Sequence, residues 1–393
     1  MSTVPPTWPE LTSNDLRPPD TAVRWRGLEG AGAIRYTFSG RAGIFQYLTA
    51  LRRSLPGSSR RRQVLLPAFH CPSVVDPVLH AGFEIRYYGI TEHLGVDERD
   101  LLRKVGEDTA AVLFIRYFGM GAISPALITA VRAAGAKVLS DCSHSFLSDS
   151  PLALAGREAD ATIYSFWKLI PSSTVGGGVW CGDVSIAPYW PQQNSAGARH
   201  QLQFARDLLG ELIRGYRRPP SDLAEPVDSE EAFGMAEPAI RKSCELAYPY
   251  DRPLSFAGLP LAAGWVLRRV DLGMVARSRR DNYRLFCEQL VESTDLQLVA
   301  PRLADADVPW GVPVVMHNRG ERDYLIRARG VPLFTFGEVL HPSLLREQAQ
   351  NPEMVEAAQF LSDNLLVFAI HQQLSLAAVR RYAGIVNRFM ESL

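Results

Sequence analysis

One lysine in this sequence stands between a hydroxyl residue and a run of glycines. Lys168 follows Ser165 by three positions and precedes the glycines at 176–178. The chain has 42 basic side chains, of which only four are lysines: Lys104, Lys137, Lys168 and Lys242. A desolvated amine can lose its proton and attack a carbonyl, whereas arginine keeps its charge. Lys168 is therefore a candidate for Schiff-base chemistry, and a surface lysine after a strand fits the local sequence equally well.

A second chemical feature is a serine and a glycine at the start of a helical pattern. Ser39 is a natural N-cap, because the apolar residues Ala42, Phe45 and Leu48 that follow share one helix face. The free N–H groups of a helix start attract an anion, and Gly40 permits its close approach. The pattern predicts a phosphate site, with an ordinary capped helix as the alternative that the short motif alone favours.

Several further reactive side chains come directly after predicted strands. They are Phe69 and His70, Arg116 and Tyr117, Asp141 and His144, and Ser165 with Lys168. Ligands of open α/β sheets bind beyond the carboxyl ends of the strands. Because these side chains converge on one sheet edge together with a helix start, the catalytic interpretation of Lys168 gains weight over the surface interpretation.

The elements that position these residues alternate between strands and helices. Short apolar runs predict strands at 63–67, 84–88, 110–115, 137–140 and 179–181. Helical patterns lie at 73–81, 97–105 with Asp97 as N-cap, 125–134 and 196–214. Strands of this length between helices of about ten residues predict a largely parallel sheet with helices on both faces.

The rest of the chain divides into an arm, a connection and a second domain. Residues 1–33 are rich in proline and are expected to form an extended arm, followed by a large domain over 34–255. That domain includes a long connection at about 184–250, which is proline-rich and acidic at 217–237. A single bridging helix is predicted at about 260–291, within a smaller C-terminal α/β domain over 256–393. This second domain has strands at 312–316 and 365–370 and helices at 322–329 and 376–393.

Composition excludes several classes of protein. The 393 residues are 47% hydrophobic and 21% charged, with no net charge, which is typical of a soluble globular protein and gives no reason to expect nucleic acid as a partner. The five cysteines are widely spread, without the close pairs of a zinc or redox site. We find no leader segment and no apolar run of 18 residues, so we expect a cytoplasmic protein that does not enter a membrane.

The motifs, in their order, resemble those of a known family. They are Ser39 to Arg41, Pro67 to Cys71, Arg116 to Gly119, Ser140 to His144, Ser165 to Lys168, and Gly176 to Gly178. From about residue 34 to the end, the chain resembles the DegT/DnrJ/EryC1/StrS aminotransferases, which depend on pyridoxal 5'-phosphate and have fold type I. The three-residue spacing from Ser165 to Lys168 is shorter than usual and marks a divergent branch.

The resemblance implies a fold and an assembly. The expected fold is α/β, with a large domain built on a mostly parallel seven-stranded sheet and a smaller C-terminal α/β domain. The expected assembly is a homodimer whose active sites take residues from both subunits.

The resemblance also implies roles for individual residues. Lys168 matches the lysine that holds the cofactor as a Schiff base and then acts as acid and base. Asp141 matches the carboxylate that keeps the pyridine nitrogen protonated, with a helix cap after the strand as its alternative. His144 matches a position beside the phenolic oxygen of the cofactor, although a structural histidine is an equal alternative.

The remaining carried-over positions surround the cofactor. Ser39, Gly40, Arg41 and Ser165 resemble the phosphate cup, with an arginine where the family usually has threonine. Phe69 lies in the stretch that supplies an aromatic cover for the ring, although the usual stacking position aligns with Cys71. Arg116 is a candidate for binding a substrate carboxylate, or for a salt bridge at the rim.

These features predict an aminotransferase. It would move an amino group from a donor such as glutamate to a keto group, plausibly on a nucleotide-linked sugar or a related biosynthetic intermediate. The alternatives are another pyridoxal-phosphate reaction, such as decarboxylation or elimination, and a degenerate member with a regulatory or scaffold role. The presence of both Lys168 and Asp141 argues against the degenerate member.

Overall fold

The structure is a computed structural model of the 393-residue chain. It describes residues 8–9, 11, 15–16, 33–148, 153–154, 156, 158–172, 175–217 and 250–393. The expected connection at 217–237 lies almost wholly outside these residues, as does most of the arm.

A seven-stranded sheet forms the centre of the described structure. Its strands are β1 (Ala33–Thr37), β2 (Gln63–Pro67), β3 (Glu84–Tyr88), β4 (Thr109–Ile115), β5 (Lys137–Asp141), β8 (Ala161–Ser165) and β9 (Gly177–Cys181), and the hairpin β6 (Leu147–Ser148) with β7 (Ala153–Leu154) lies apart. The order is β1-β9-β8-β5-β4-β2-β3, in which β9 is antiparallel to β1 and β8 and the other pairs are parallel. The predicted mostly parallel sheet is confirmed.

The register of the central strands brings their carboxyl ends to one level. Strand β4 is buried along nearly its whole length, as expected for a parallel strand with both faces covered. Ile115 pairs with Asp141, and Asp141 pairs with Ile163. The residues that follow β4, β5 and β8 therefore emerge next to one another at the same sheet edge.

The helices preceding the second sheet include several that begin directly after a residue whose side chain caps them. The helices of this part are α1 (Gly40–Ser54), α2 (Val75–His80), α3 (Glu98–Lys104), α4 (Pro125–Ala133), α5 (Ala198–Arg217), α6 (Arg252–Ser255), α7 (Leu261–Leu267) and α8 (Leu272–Gln289). Asp97 caps α3 by accepting a hydrogen bond from the Asp100 N–H at 3.0 Å, which confirms the predicted start. Helix α1 buries most of its first three turns against the large sheet.

A second, antiparallel sheet lies in the C-terminal part of the chain. Its strands are β10 (Leu296–Leu298), β11 (Gly311–Met316), β12 (Leu333–Phe334) and β13 (Leu365–Ala369), and the helices around it are α9 (Arg322–Ala328), α10 (Pro342–Leu345), α11 (Pro352–Asn364) and α12 (Leu376–Glu391). Phe286 of α8 packs on Phe368 and on Tyr382, so α8, β13 and α12 share one core. The exact domain boundary at residue 255 stays a prediction.

The predicted single helix at 260–291 is wrong. The chain forms α7 and α8 instead, because Asp271 accepts a hydrogen bond from the Met274 N–H at 3.1 Å and starts a new helix there. Val270, just before this cap, forms a bridge with Leu16 of the arm. Among the residues that the structure describes, no helix is long and apolar enough to cross a membrane.

Candidate active site

Lys168 lies at the carboxyl edge of the large sheet, as its position after β8 predicts. It ends a short 3-10 turn over Phe166–Lys168 that follows the buried Ser165. Its Nζ lies 4.5 Å from the ring centroid of Trp310 and 5.7 Å from that of Trp167. An aromatic face attracts a cation and also excludes water from it.

The surroundings of Lys168 favour its neutral form. Burial lowers the pKa of its amine from the ordinary 10.5, while the negative charges that Cys71 and Asp141 can carry act in the opposite direction. Both groups therefore act electrostatically on the amine. A lysine whose pKa is lowered has a larger neutral fraction near pH 7, which is the form that attacks a carbonyl.

Asp141 and His144 stand where β5 ends. The Asp141 side chain is only 6% exposed, and its Oδ1 accepts a hydrogen bond from the Ser143 N–H at 2.9 Å. His144 is also buried, and its Nδ1 accepts from the Phe118 N–H at 3.2 Å. Burial, and then the charge of Lys168, lower the pKa of His144 well below its ordinary value. His144 is therefore neutral near pH 7 with its proton on Nε2, so that Nε2–H is a hydrogen-bond donor.

A strained turn connects His144 with the C-terminal part. Phe118 has a φ of 54°, in the left-handed region that a bulky residue rarely adopts. This conformation directs its N–H to His144, and its carbonyl accepts from the Trp310 N–H at 2.7 Å. The indole of Trp310 in turn lies 4.2 Å from the His144 ring, between centroids. The turn thus fixes His144 and Trp310 relative to each other.

The start of α1 forms a cradle of glycine and hydroxyl groups beside Lys168. Ser39 caps the helix through its Oγ, which accepts from the Ala42 N–H at 3.2 Å. A Cβ placed on Gly40 would lie 3.3 Å from Ser165 Cβ and 3.4 Å from Ser143 Oγ. The three serines therefore surround the helix N-terminus, as an anion site requires. Ser143 was missed by the sequence reasoning, although it stands within the predicted motif at 140–144.

Gly177 explains part of the glycine run. A Cβ at this position would lie 2.6 Å from Gly40 N and from the Ser39 carbonyl carbon. Only glycine permits β9 to approach the helix start so closely. The run at 176–178 therefore supports the cradle by packing, next to the lysine that precedes it in sequence.

Arg41 and Phe69, which the family resemblance assigns to the cofactor site, have surroundings that differ from those of the three serines. Arg41 is partly exposed in the first turn of α1, and its charge acts against burial, which raises the pKa of the Tyr250 phenol. Phe69 is 0% exposed and packs on Tyr117 and Phe336, with ring centroids 5.9 and 5.5 Å away. Its placement in the core therefore does not support the expected role as a cofactor cover. A role of Arg41 in the cradle stays a prediction.

Arg116 forms a salt bridge across the two parts of the chain. Its Nη2 lies 3.2 Å from Asp307 Oδ1, and both side chains are more than nine-tenths buried. Burial raises the pKa of Asp307, against the effect of Arg116. Of the two interpretations of Arg116, the structure supports the salt bridge, because the guanidinium already has a carboxylate partner.

An aromatic cluster covers the solvent side of Lys168. Trp8 of the arm stacks on Trp310 at 5.4 Å, and also contacts Trp167 and Phe334 with centroid distances of 5.6 and 4.6 Å. Trp8 and Trp167 are each 37% exposed. We call these four residues the aromatic cluster. No local pattern in the sequence assigned them to the site, because they come from the arm, the lysine turn and the second sheet.

The described residues include no group of three or more histidine, cysteine, aspartate or glutamate side chains that could hold a metal ion. The site instead combines an amine with a lowered pKa, a buried carboxylate, a neutral histidine and an anion cradle.

Part of the chain is similar to a known protein family. Residues 37–210 match the model of the DegT/DnrJ/EryC1/StrS aminotransferase family. No curated protein sequence matches the chain.

Three solved structures share the fold. Helicobacter pylori PseC, an aminotransferase involved in the biosynthesis of pseudoaminic acid, has 18% identity and a TM-score of 0.61, covering 92% of this chain and 87% of its own. S. venezuelae DesV, solved in complex with a ketimine intermediate, has 18% identity and a TM-score of 0.64, covering 96% and 91%. The aminotransferase TlmJ from Streptoalloteichus hindustanus has 18% identity and a TM-score of 0.60, covering 98% and 93%. At these identities the likeness shows the fold alone.

Proposed function

We propose that this chain, a member of the DegT/DnrJ/EryC1/StrS aminotransferase family through its residues 37–210, transfers an amino group to a keto group with pyridoxal 5'-phosphate as cofactor. The observation that carries the proposal is the convergence of Lys168, Asp141 and the α1 cradle at one sheet edge. An amine with a lowered pKa at the same sheet edge as a buried carboxylate is a combination that a purely structural site has no reason to maintain.

The residues present fit this cofactor. Its phosphate suits the cradle, where a Cβ on Gly40 would approach Ser165 and Ser143 to within 3.4 Å. Its aldehyde suits the amine of Lys168, and its pyridine nitrogen suits the carboxylate of Asp141. The Nε2–H of His144 can donate a hydrogen bond to the phenolic oxygen of the cofactor.

Each residue then has a defined task. When bound, the cofactor supplies a sink for the electrons that a departing proton leaves on the substrate carbon. Lys168 takes up this proton as a neutral amine and returns it to the neighbouring atom. Asp141 provides the negative charge that holds a proton on the pyridine nitrogen, and Trp310 keeps water away from the Lys168 amine.

The substrates are proposed from the relatives. An amino acid such as glutamate would give the amino group, and a keto group on a nucleotide-linked sugar or a related biosynthetic intermediate would receive it. The names of PseC and of other aminotransferases of the same fold support this choice. We further propose a cytoplasmic homodimer with shared active sites, because the family resemblance implies that assembly.

The test is a half-reaction that does not require the acceptor. Protein loaded with pyridoxal phosphate is mixed with L-glutamate and with a panel of other amino acids. We expect a donor to shift the visible absorption of the cofactor and to release one equivalent of the matching keto acid. If the protein binds the cofactor but no amino acid yields its keto acid, the transfer function is wrong. Lys137→Arg is the control, because that lysine pairs with Asp183 away from the site.

A further inference from the structure

Arg279 in the middle of α8 is one of the most deeply buried charged residues of the described chain. It is 1% exposed, although no ion pair joins it to a described carboxylate. Its hydrogen bonds go instead to three backbone carbonyls and one side-chain amide. The acceptors are Gln372 Oε1 at 3.1 Å, Pro309 O at 3.4 Å, Trp310 O at 2.9 Å and Lys168 O at 3.3 Å.

Burial of a guanidinium among neutral acceptors is unfavourable. Desolvation lowers the pKa of Arg279 to about 9, and the hydrogen bonds offset only part of this cost. Hydrophobic residues of similar size often give a more stable protein than buried charges do. The location of the acceptors therefore bears on why an arginine stands here.

Two of these acceptors belong to residues that define the active site. One is the carbonyl of Lys168 itself. Another is the carbonyl of Trp310, whose ring lies 4.5 Å from the Lys168 amine. The partner Gln372 continues the network, because its Nε2 donates to the carbonyl of Leu169 at 3.4 Å. The guanidinium of Arg279 thus connects the backbone of Lys168 with the backbone of Trp310, whose ring lies over the Lys168 amine.

We propose that Arg279 is a positioning residue that holds the Lys168 turn and Trp310 in register, and so keeps the amine beneath the indole and near Asp141. The proposal rests on the proposed function for its significance, since the positioned group is the lysine that would carry the cofactor. Arg279 is suited to this task because its planar fork donates in several fixed directions at once, which a lysine ammonium does not do. Bonds to backbone carbonyls also leave the side chains of Lys168 and Trp310 free.

Arg319 offers a matched control. It is also a buried arginine of the C-terminal part, and it donates to the Leu365 carbonyl at 3.0 Å and lies 3.8 Å from Glu338. Its partners belong to the second sheet and to the segment that follows β12, and none is a residue of the active site. Loss of Arg319 therefore reports the effect of removing a buried arginine without disturbing the Lys168 turn.

The experiment measures the reactivity of Lys168 in cofactor-free protein. The full chain is labelled with acetic anhydride across a pH series, and peptide mass spectrometry follows each of its four lysines. In Arg279→Gln we expect the amine to become more hydrated and its pKa to rise, so that labelling of Lys168 relative to Lys137 at pH 7 falls about tenfold. Arg319→Gln should keep the labelling ratio of the wild type. In Arg279→Lys this ratio should lie between those of the wild type and Arg279→Gln.

The outcome that overturns the proposal is specific. If folded Arg279→Gln and Arg319→Gln show the same Lys168 profile as the wild type, Arg279 has only a structural role. If Arg279→Gln does not fold, Arg279→Lys decides in the same way, because it retains the charge but not the fork. The assay uses no cofactor, so a wrong proposed function would show in the glutamate half-reaction and leave this result unaffected.

Discussion

Lys104 and Lys168 have opposite surroundings. Lys104 at the end of α3 pairs with Asp100 at 2.8 Å, and that carboxylate also accepts from the Gly89 N–H. Lys168 faces the rings of Trp310 and Trp167, and no carboxylate of the described residues lies within ion-pair distance of its amine. Contact with a carboxylate stabilises the charged amine, whereas an aromatic and dry environment favours the neutral one. Lys104 is therefore held in an ion pair within α3, whereas the surroundings of Lys168 are those expected of a nucleophilic amine.

The largest expected effect is the loss of activity when the amine of Lys168 is removed. Lys168→Ala should lower the rate of amino transfer by at least about 1,000-fold, since nucleophile and acid-base group disappear together. The fold should persist, because Lys168 makes no ion pair in the described structure. Rate measurements with the active donor, together with circular dichroism, check both statements. Retention of even a tenth of the activity would make another residue the catalytic base.

Replacing Asp141 should lower the rate of amino transfer and raise the rate at which Lys168 is labelled. Asp141→Asn should lower the transfer rate by roughly 100-fold, because the charge that favours the protonated cofactor ring is gone. The same change should lower the pKa of Lys168, since Asp141 acts to raise it. Lysine labelling of the cofactor-free variant should therefore be faster at Lys168 near pH 7. Slower labelling there would contradict the electrostatic link between the two residues.

Replacing Lys104 should lower the stability of the protein and leave its transfer rate unchanged, the reverse of the result expected for Lys168. Lys104→Met leaves Asp100 without its closest cation, and we expect the free energy of unfolding to fall by about 3 kcal/mol. The transfer rate per folded molecule should stay unchanged, because α3 does not contribute to the site. Urea unfolding and assays on the same preparation give both numbers. A drop in rate without a drop in stability would erase the contrast with Lys168.

The pH dependence of stability sharpens the comparison. The folded state lowers the pKa of Lys168 below 10.5, so in the window between that lowered value and 10.5 the unfolded chain binds more protons. The free energy of unfolding contributed by Lys168 therefore rises with pH across the window and is lost as pH falls. Lys168→Met should remove this slope. The free energies of unfolding of cofactor-free wild type and Lys168→Met are compared between pH 8 and 10, so that the contributions of the other titrating groups cancel. Identical dependence on pH in the two proteins would contradict the lowered pKa of Lys168.

The smallest effect concerns the aromatic cluster. Trp8→Ala should lower the free energy of unfolding by about 1 kcal/mol, because Trp8 is partly exposed and its main contribution is aromatic packing. Labelling of Lys168 relative to Lys104 at pH 7 should fall modestly as the cover opens, because the amine becomes more hydrated and its pKa rises. Trp265→Ala is a suitable control, since that ring packs on Arg269 instead. Equal labelling of Lys168 in both variants would show that Trp8 does not cover the site.

The sequence predicted those parts of the site that local patterns encode. Lys168 follows a strand, Asp141 ends one and Ser39 caps a helix, so the periodicity of the surrounding residues places all three at one sheet edge. Trp310 and Arg279 carry no such signal, because they reach the site only when the second sheet packs on the large one. The pairing of Arg116 with Asp307 and the helix break at Asp271 depend on the same long-range packing.

The central claim is that Lys168, and not another lysine, carries the cofactor. The direct measurement is borohydride reduction of the protein after incubation with pyridoxal phosphate, followed by peptide mass spectrometry. We expect one cofactor per chain, attached to Lys168, with Lys104 unmodified in its pair with Asp100. Attachment at Lys104, Lys137 or Lys242, or no attachment to a folded protein, would contradict it.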